Sequence, residues 1–139
     1  MTGKLMEYFN RQPRLGVIST SSKDGRVDSA VYGSPQMIDE KTVLVAFARG
    51  RTWANLQENP HAVYMIMQPG EGLQDWKGVR VYLRMKEHFQ SGPRLEGYKR
   101  EAAKIVGEEA VEMIAVLATF EVEEVRPLID FGQGWENGI

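Results

Sequence analysis

A chain of 139 residues, 42% hydrophobic and 26% charged, is long enough for one domain with its own core and too short for a multidomain assembly. Its 17 basic and 19 acidic residues leave a formal charge of -2, unlike the basic footprint of a general nucleic-acid binder, and the absence of cysteine excludes thiol catalysis, disulfides and thiolate metal sites. With only His61 and His88 for imidazole ligands, no apolar run near the ~18 residues of a membrane span and no secretory-type apolar leader, the expectation is a cytoplasmic protein with no metal centre and no membrane partner.

Leu5, Met6, Tyr8 and Phe9, ahead of Pro13, predict a short amino-terminal helix that the proline stops. Leu15 to Thr20 is apolar and β-branched, and the Asp24-Gly25 pair that follows suits a tight hairpin because glycine accepts positive φ. Arg26 to Gly33 alternates as the returning strand until Pro35 interrupts pairing. A second hairpin runs from Gln36 to Ile38, turns at Asp39-Glu40-Lys41, and returns over Thr42 to Ala48, a strand apolar enough for burial on both faces. Thr52 to Glu58 reads as a two-turn helix with Thr52 as its cap and Asn59-Pro60 as its end. Ala62 to Gln68 and Val79 to Phe89 are further strands, the second with Val79, Val81, Leu83 and Met85 on one face. Ser91-Gly92-Pro93 opens the one substantial helix, which places Leu95, Tyr98, Ala102 and Ile105 at helical spacing before Gly107. The pattern then predicts a last strand from about Met113 to Val122, with a helix over Glu108 to Glu112 as the competing reading. The glycine-rich end around Trp135 has no regular pattern and is ordered only where something receives it. Hairpin links with one large late helix predict a mostly β protein with some α, an antiparallel barrel with helices at its ends, rather than an alternating βαβ sheet.

The stretch Val43 to Leu56 carries the most chemistry. A buried strand delivers Arg49, Gly50, Arg51 and Thr52 to the mouth of a helix, where free backbone N–H groups attract anions, glycine permits close approach, a guanidinium can fork onto phosphate oxygens and a hydroxyl can donate. The same four residues also make an ordinary polar turn before a capped helix, and spacing alone does not separate the two readings. His61 and His88 have no acidic partner at ligand spacing and read as surface or packing residues; the methionines read as core filler and the late run of glutamates as a solvated face. No side chain stands out as a catalytic acid, base or nucleophile.

The strand Val-Leu-Val-Ala-Phe-Ala, the Arg51-Thr52 step, and Asn-Leu-Gln-Glu-Asn-Pro-His-Ala before the next strand resemble the pyridoxamine 5'-phosphate oxidase-like, FMN-binding split-barrel family. The opening agrees, with a short helix, a Gly-Val-Ile-Ser-Thr strand over Gly16 to Thr20 and a turn ending Asp24-Gly25. The Arg-x-His-type substrate element of the longer oxidases has no counterpart in Arg126 to Ile139, so the likeness is to the small FMN-binding members. The resemblance implies a six-stranded antiparallel split β-barrel over residues 1–125 with a tail over 126–139, and a homodimer holding FMN at two interface sites. It implies that Arg51 and Thr52 hold the phosphate, that Val31, Tyr32, Gly33 and Ser34 flank the cofactor, and that Phe47, Ala48, Arg49 and Gly50 run along the flavin ring. The expected function is then that of an FMN-dependent oxidoreductase or electron carrier with a small-molecule substrate or redox partner. The alternatives are the same barrel binding haem or a deazaflavin, or a dimeric binding module without catalysis.

Overall fold

The computed structural model describes residues 3–139. One antiparallel sheet of seven strands, ordered β2-β1-β5-β6-β7-β4-β3, forms the molecule's frame. The first hairpin is β1 (Gly16–Ser21) with β2 (Val27–Val31), and its turn places Gly25 at φ +85, as the Asp-Gly pair requires. The second is β3 (Gln36–Asp39) with β4 (Thr42–Phe47). Long strands β6 (Lys77–Phe89) and β7 (Val116–Pro127) pair along most of their length, and β5 (His61–Gln68) joins β6 to β1.

Alternation decides which face is buried. Ile18 and Thr20 of β1, Ala62, Tyr64 and Ile66 of β5, and Val79, Val81 and Leu83 of β6 turn inward, while their neighbours point out. Phe9 from α1 (Lys4–Asn10) and Trp53 and Leu56 from α2 (Arg51–Glu58) close the ends of this core. Each such side chain contributes about 1.5–3 kcal/mol by leaving water. The expected double burial of β4 is observed: Val43, Val45 and Phe47 face the core, whereas Ala46 packs outward with Leu117 of β7 against Leu95 of α3 (Pro93–Val106). Helix α3 therefore lies on the outside of β4 and β7.

Strands β2 and β3 are consecutive in the chain but stand at opposite ends of the sheet, joined only by Tyr32 to Pro35. So short a link spans at most about 18 Å, and the sheet must curl until its two edges nearly meet. The result is a split barrel whose seam is crossed by the β2–β3 link.

Three sequence expectations change, and the glycine-rich end finds its receiver. The sheet has the seven strands read along the chain rather than the six that the family resemblance implies, with short β3 paired to β4 as an edge. Thr52 does not cap α2: Gly50 occupies the cap position in extended conformation without a side-chain bond, and Thr52 lies inside the first turn. The last strand begins at Val116, not Met113, because positive-φ Gly107 turns the chain into a separate helix, α4 (Glu108–Glu112), with Glu108 and Glu109 at its favourable amino end and Val111 buried. The glycine-rich end is received by its own chain: a 3₁₀ turn over Trp135–Gly138 lays Trp135 and Ile139 on the core, and Lys4 Nζ donates to the Glu136 carbonyl.

Candidate functional site

The residues singled out from the sequence converge on two adjoining segments, the β2–β3 link and the start of α2. The link is tightly held. The Tyr64 hydroxyl donates to the Tyr32 carbonyl at 2.6 Å, Arg14 Nη2 donates to the Gly33 carbonyl at 2.8 Å, and Ser34 Oγ donates to the Ala46 carbonyl at 3.0 Å while accepting from the Ala46 N–H at 3.2 Å. The Tyr32 ring packs against Phe47 with centroids 5.5 Å apart; burial pushes its phenol pKa up, and the nearby Thr52 hydroxyl partly offsets this.

These placements divide the ten residues. Phe47 is fully buried between Tyr32, Trp53 and Phe120, so its ring belongs to the core, and its carbonyl accepts from the Ala115 N–H at 2.8 Å. Thr52 is buried against Tyr32, whereas Val31, Gly33, Arg49, Gly50 and Arg51 are exposed, with Ser34 and Ala48 half-buried.

The start of α2 has the chemistry of an anion seat. No side chain caps it, no acidic residue stands in its first turn, and the space around Gly50 is open. Arg51 is 76% exposed, and its one ionic contact is loose, 3.8 Å to Asp28 Oδ1 on β2. Arg49 adds a second exposed guanidinium two residues earlier. Uncapped first-turn amides, the positive end of the helix dipole and two cationic forks fit a phosphate group. Beneath this turn, Asn55 Nδ2 donates to Thr20 Oγ1 at 3.1 Å inside the core and fixes α2 on β1.

The histidines lie elsewhere. His61 Nδ1 is 3.3 Å from Glu123 Oε1 on the outer face of the sheet, and the His88 ring stands edge-on to Trp53 at 5.1 Å. The His61–Glu123 proximity was invisible in the sequence because it arises across two strand pairings. Among the described residues no cluster of three His, Asp or Glu side chains could hold a metal ion, and no helix is long and apolar enough to cross a membrane.

The family model described as pyridoxamine 5'-phosphate oxidase matches residues 2–128. The chain belongs to that family. No curated protein matches the sequence. Solved structures similar in fold include an FMN-binding protein from Syntrophomonas wolfei subsp. wolfei, 21% identical, covering 91% of this chain and 83% of that one with a TM-score of 0.72. The haem storage protein HutZ from Vibrio cholerae is 16% identical over 98% of this chain and 99% of that one, with a TM-score of 0.64. An F420 reductase is 11% identical over 89% and 98% respectively, also with a TM-score of 0.64. These three structures share the fold of this chain.

Proposed function

We propose that this family member is an FMN-binding flavoprotein, a homodimer with a cofactor at each of two interface sites, acting in oxidoreduction or electron transfer. The observation that carries the reading is the uncapped start of α2 with Arg49 and Arg51 exposed beside it. Arg51 forks onto the phosphate, the first-turn amides and Arg49 add charge-assisted donors, and the Tyr32–Ser34 link with Val31 and Ala48 flanks the ring system. Bound FMN supplies hydride or single-electron chemistry. The chain's own residues orient it and shield it from water.

The dimer is supported by the outer face of β2, β1 and β5. Val27 and Val31 are 83% and 71% exposed there, next to Val17, Val63 and Met65. Val31, Val17 and Met65 stand in register across the three strands, separated from Val27 by the Ser19–Ser29 pair, and this apolar row beside the candidate site is what a second copy would cover. For haem, the two imidazoles are His61, beside Glu123 on the outer face of the sheet, and His88, whose ring stands edge-on to Trp53 in the first turn of α2.

The test is the visible spectrum of the purified protein, with mass identification of anything released by heat. Flavin bands near ~370 and ~450 nm with FMN released are expected. A Soret band would replace flavin by haem, and a colourless protein that takes up no added FMN would return the α2 turn to a purely structural role. Arg51→Ala should weaken FMN binding by about 1.5–3 kcal/mol, the range for hydrogen bonds to charged groups. Unchanged affinity would move the phosphate elsewhere.

A further inference from the structure

The end of α1, the segment from Arg11 to Leu15 and the end of β5 enclose a cleft of about 610 Å³, in the range of small-molecule pockets. It lies away from the α2 turn. Leu15 and Ile66 stand at the amino end of β1, whereas Asn55 fixes α2 on Thr20 near the other end. The floor is apolar: Leu15 and Met67 are tied together by the Met67 N–H, which donates to the Leu15 carbonyl at 3.1 Å, and Ile66, Pro13 and Pro69 complete it.

Every polar side chain on this lining can donate a hydrogen bond, and none is acidic: Arg11 and Arg14 are cations, Gln12 and Gln68 carry amides, and Tyr8 carries a phenol. Among the described residues neither arginine has a carboxylate within ion-pair distance. Glu7 and Glu71, the acidic residues nearest these segments in sequence, line no part of the cleft. The exposed Arg11 guanidinium lies over the Tyr8 ring at 5.5 Å, which orients it, and it makes no hydrogen bond among the described residues. Arg14 is half-buried. Its Nη1 donates to the Phe9 carbonyl at 2.6 Å and its Nη2 to the Gly33 carbonyl at 2.8 Å, which leaves the second N–H of each, and an Nε–H sealed from solvent, without a partner. Desolvation, only partly offset by Tyr64, holds its pKa below the ordinary arginine value. A cation drawn from water without a counter-ion gains more from an anion than a solvated one does. The cleft beside Lys86 and Arg94 differs, because Glu87 and Glu121 stand on its lining and Lys86 is already paired with Glu121 at 3.1 Å.

We propose that the cleft between α1 and β5 binds a small organic oxyanion, its charged head on Arg11 and Arg14 and its apolar body on the Leu15 and Met67 floor. A guanidinium fork matches carboxylate and phosphate oxygens alike, so an oxyanion head is the shared chemistry. The test titrates the full chain calorimetrically, as apoprotein and so independently of the flavin reading, with 2-naphthoate, phenyl phosphate and the neutral 2-naphthamide. At least one anion should bind at least tenfold more tightly than the amide, and which one does so identifies the head. Arg11→Gln, at an exposed side chain without internal bonds, should weaken that anion at least fivefold. Gln68→Glu, which puts a carboxylate on the exposed rim, should weaken it at least tenfold and leave the amide unchanged, a pattern that misfolding would not produce. Amide binding as tight as that of both anions, no binding of either anion, or indifference to either substitution would overturn the proposal.

Discussion

At the level of single residues, Gly16 is closely confined. A Cβ there would lie 1.9 Å from the Tyr64 hydroxyl oxygen, and that hydroxyl donates to the Tyr32 carbonyl while the Gly16 carbonyl accepts from the Tyr32 N–H at 3.0 Å. Gly16→Ala must push the phenol off Tyr32. A stability loss of about 1–3 kcal/mol is expected from overpacking, read as a lower denaturant midpoint at constant slope. Tyr64→Phe keeps the volume and removes only the donor, so its loss should be nearer 1 kcal/mol. Equal losses would show that the steric term is absent. Arg51 stands out as a candidate in the sequence because a guanidinium at the start of a helix has local meaning. It could not expose the constraint on Gly16, which depends on a side chain 48 positions away whose approach only the β1–β5 register creates.

Between elements, the end of the sheet is tied by Asp130, which accepts from Arg126 Nε at 2.6 Å, Arg80 Nη2 at 2.8 Å and the Gly132 N–H at 2.9 Å, joining β6 to β7 and the following turn. The Gly132 N–H first, and then Arg126, hold this carboxyl below the usual carboxylate range. Because the folded pKa is depressed, the contribution to stability is complete above the unfolded value and is lost as pH falls through the folded one. Unfolding measured from about pH 5 down to about pH 2 should therefore show a steeper loss in the wild type than in Asp130→Asn; parallel curves would place the acid sensitivity on other groups. Hairpins and helix starts were legible because their signals are local: Asp24-Gly25 for a turn, Ser91-Gly92-Pro93 for α3. The start of β7 was not. Met113 and Ala115 suit a strand by pattern, yet Met113 caps α4 in helical conformation, and pairing begins only where β4 ends, with the Ala115 N–H on the Phe47 carbonyl at 2.8 Å, a long-range partner with no trace in the local sequence.

For the whole molecule, the outer face of β2 makes assembly testable apart from the ligand. Val27→Glu places a charge on a side chain already 83% exposed, so the isolated fold should tolerate it within about 0.5 kcal/mol. If two copies meet there, the variant should sediment as a monomer and retain less FMN on dilution; a variant that stays dimeric with full occupancy would place the interface on another face. The split barrel itself was legible only through family likeness. Strand order joins β1 to β5 and β7 to β4, pairings far apart in sequence that periodicity cannot specify.

The seam carries one more implication. The four residues crossing it are held by side-chain bonds from Tyr64 of β5 and from Arg14, and by Ser34's own hydroxyl on the Ala46 backbone of β4, rather than by a continuous ladder, and the proposed cofactor site lies beside them. If FMN seats there as proposed, its occupancy and seam closure are linked, and each stabilises the other. Occupied protein should exchange the amide hydrogens of β2 and β3 more slowly while those of β6 and β7 keep their rate. Conversely, mild urea or pressure that springs the seam should release the ligand before the barrel unfolds.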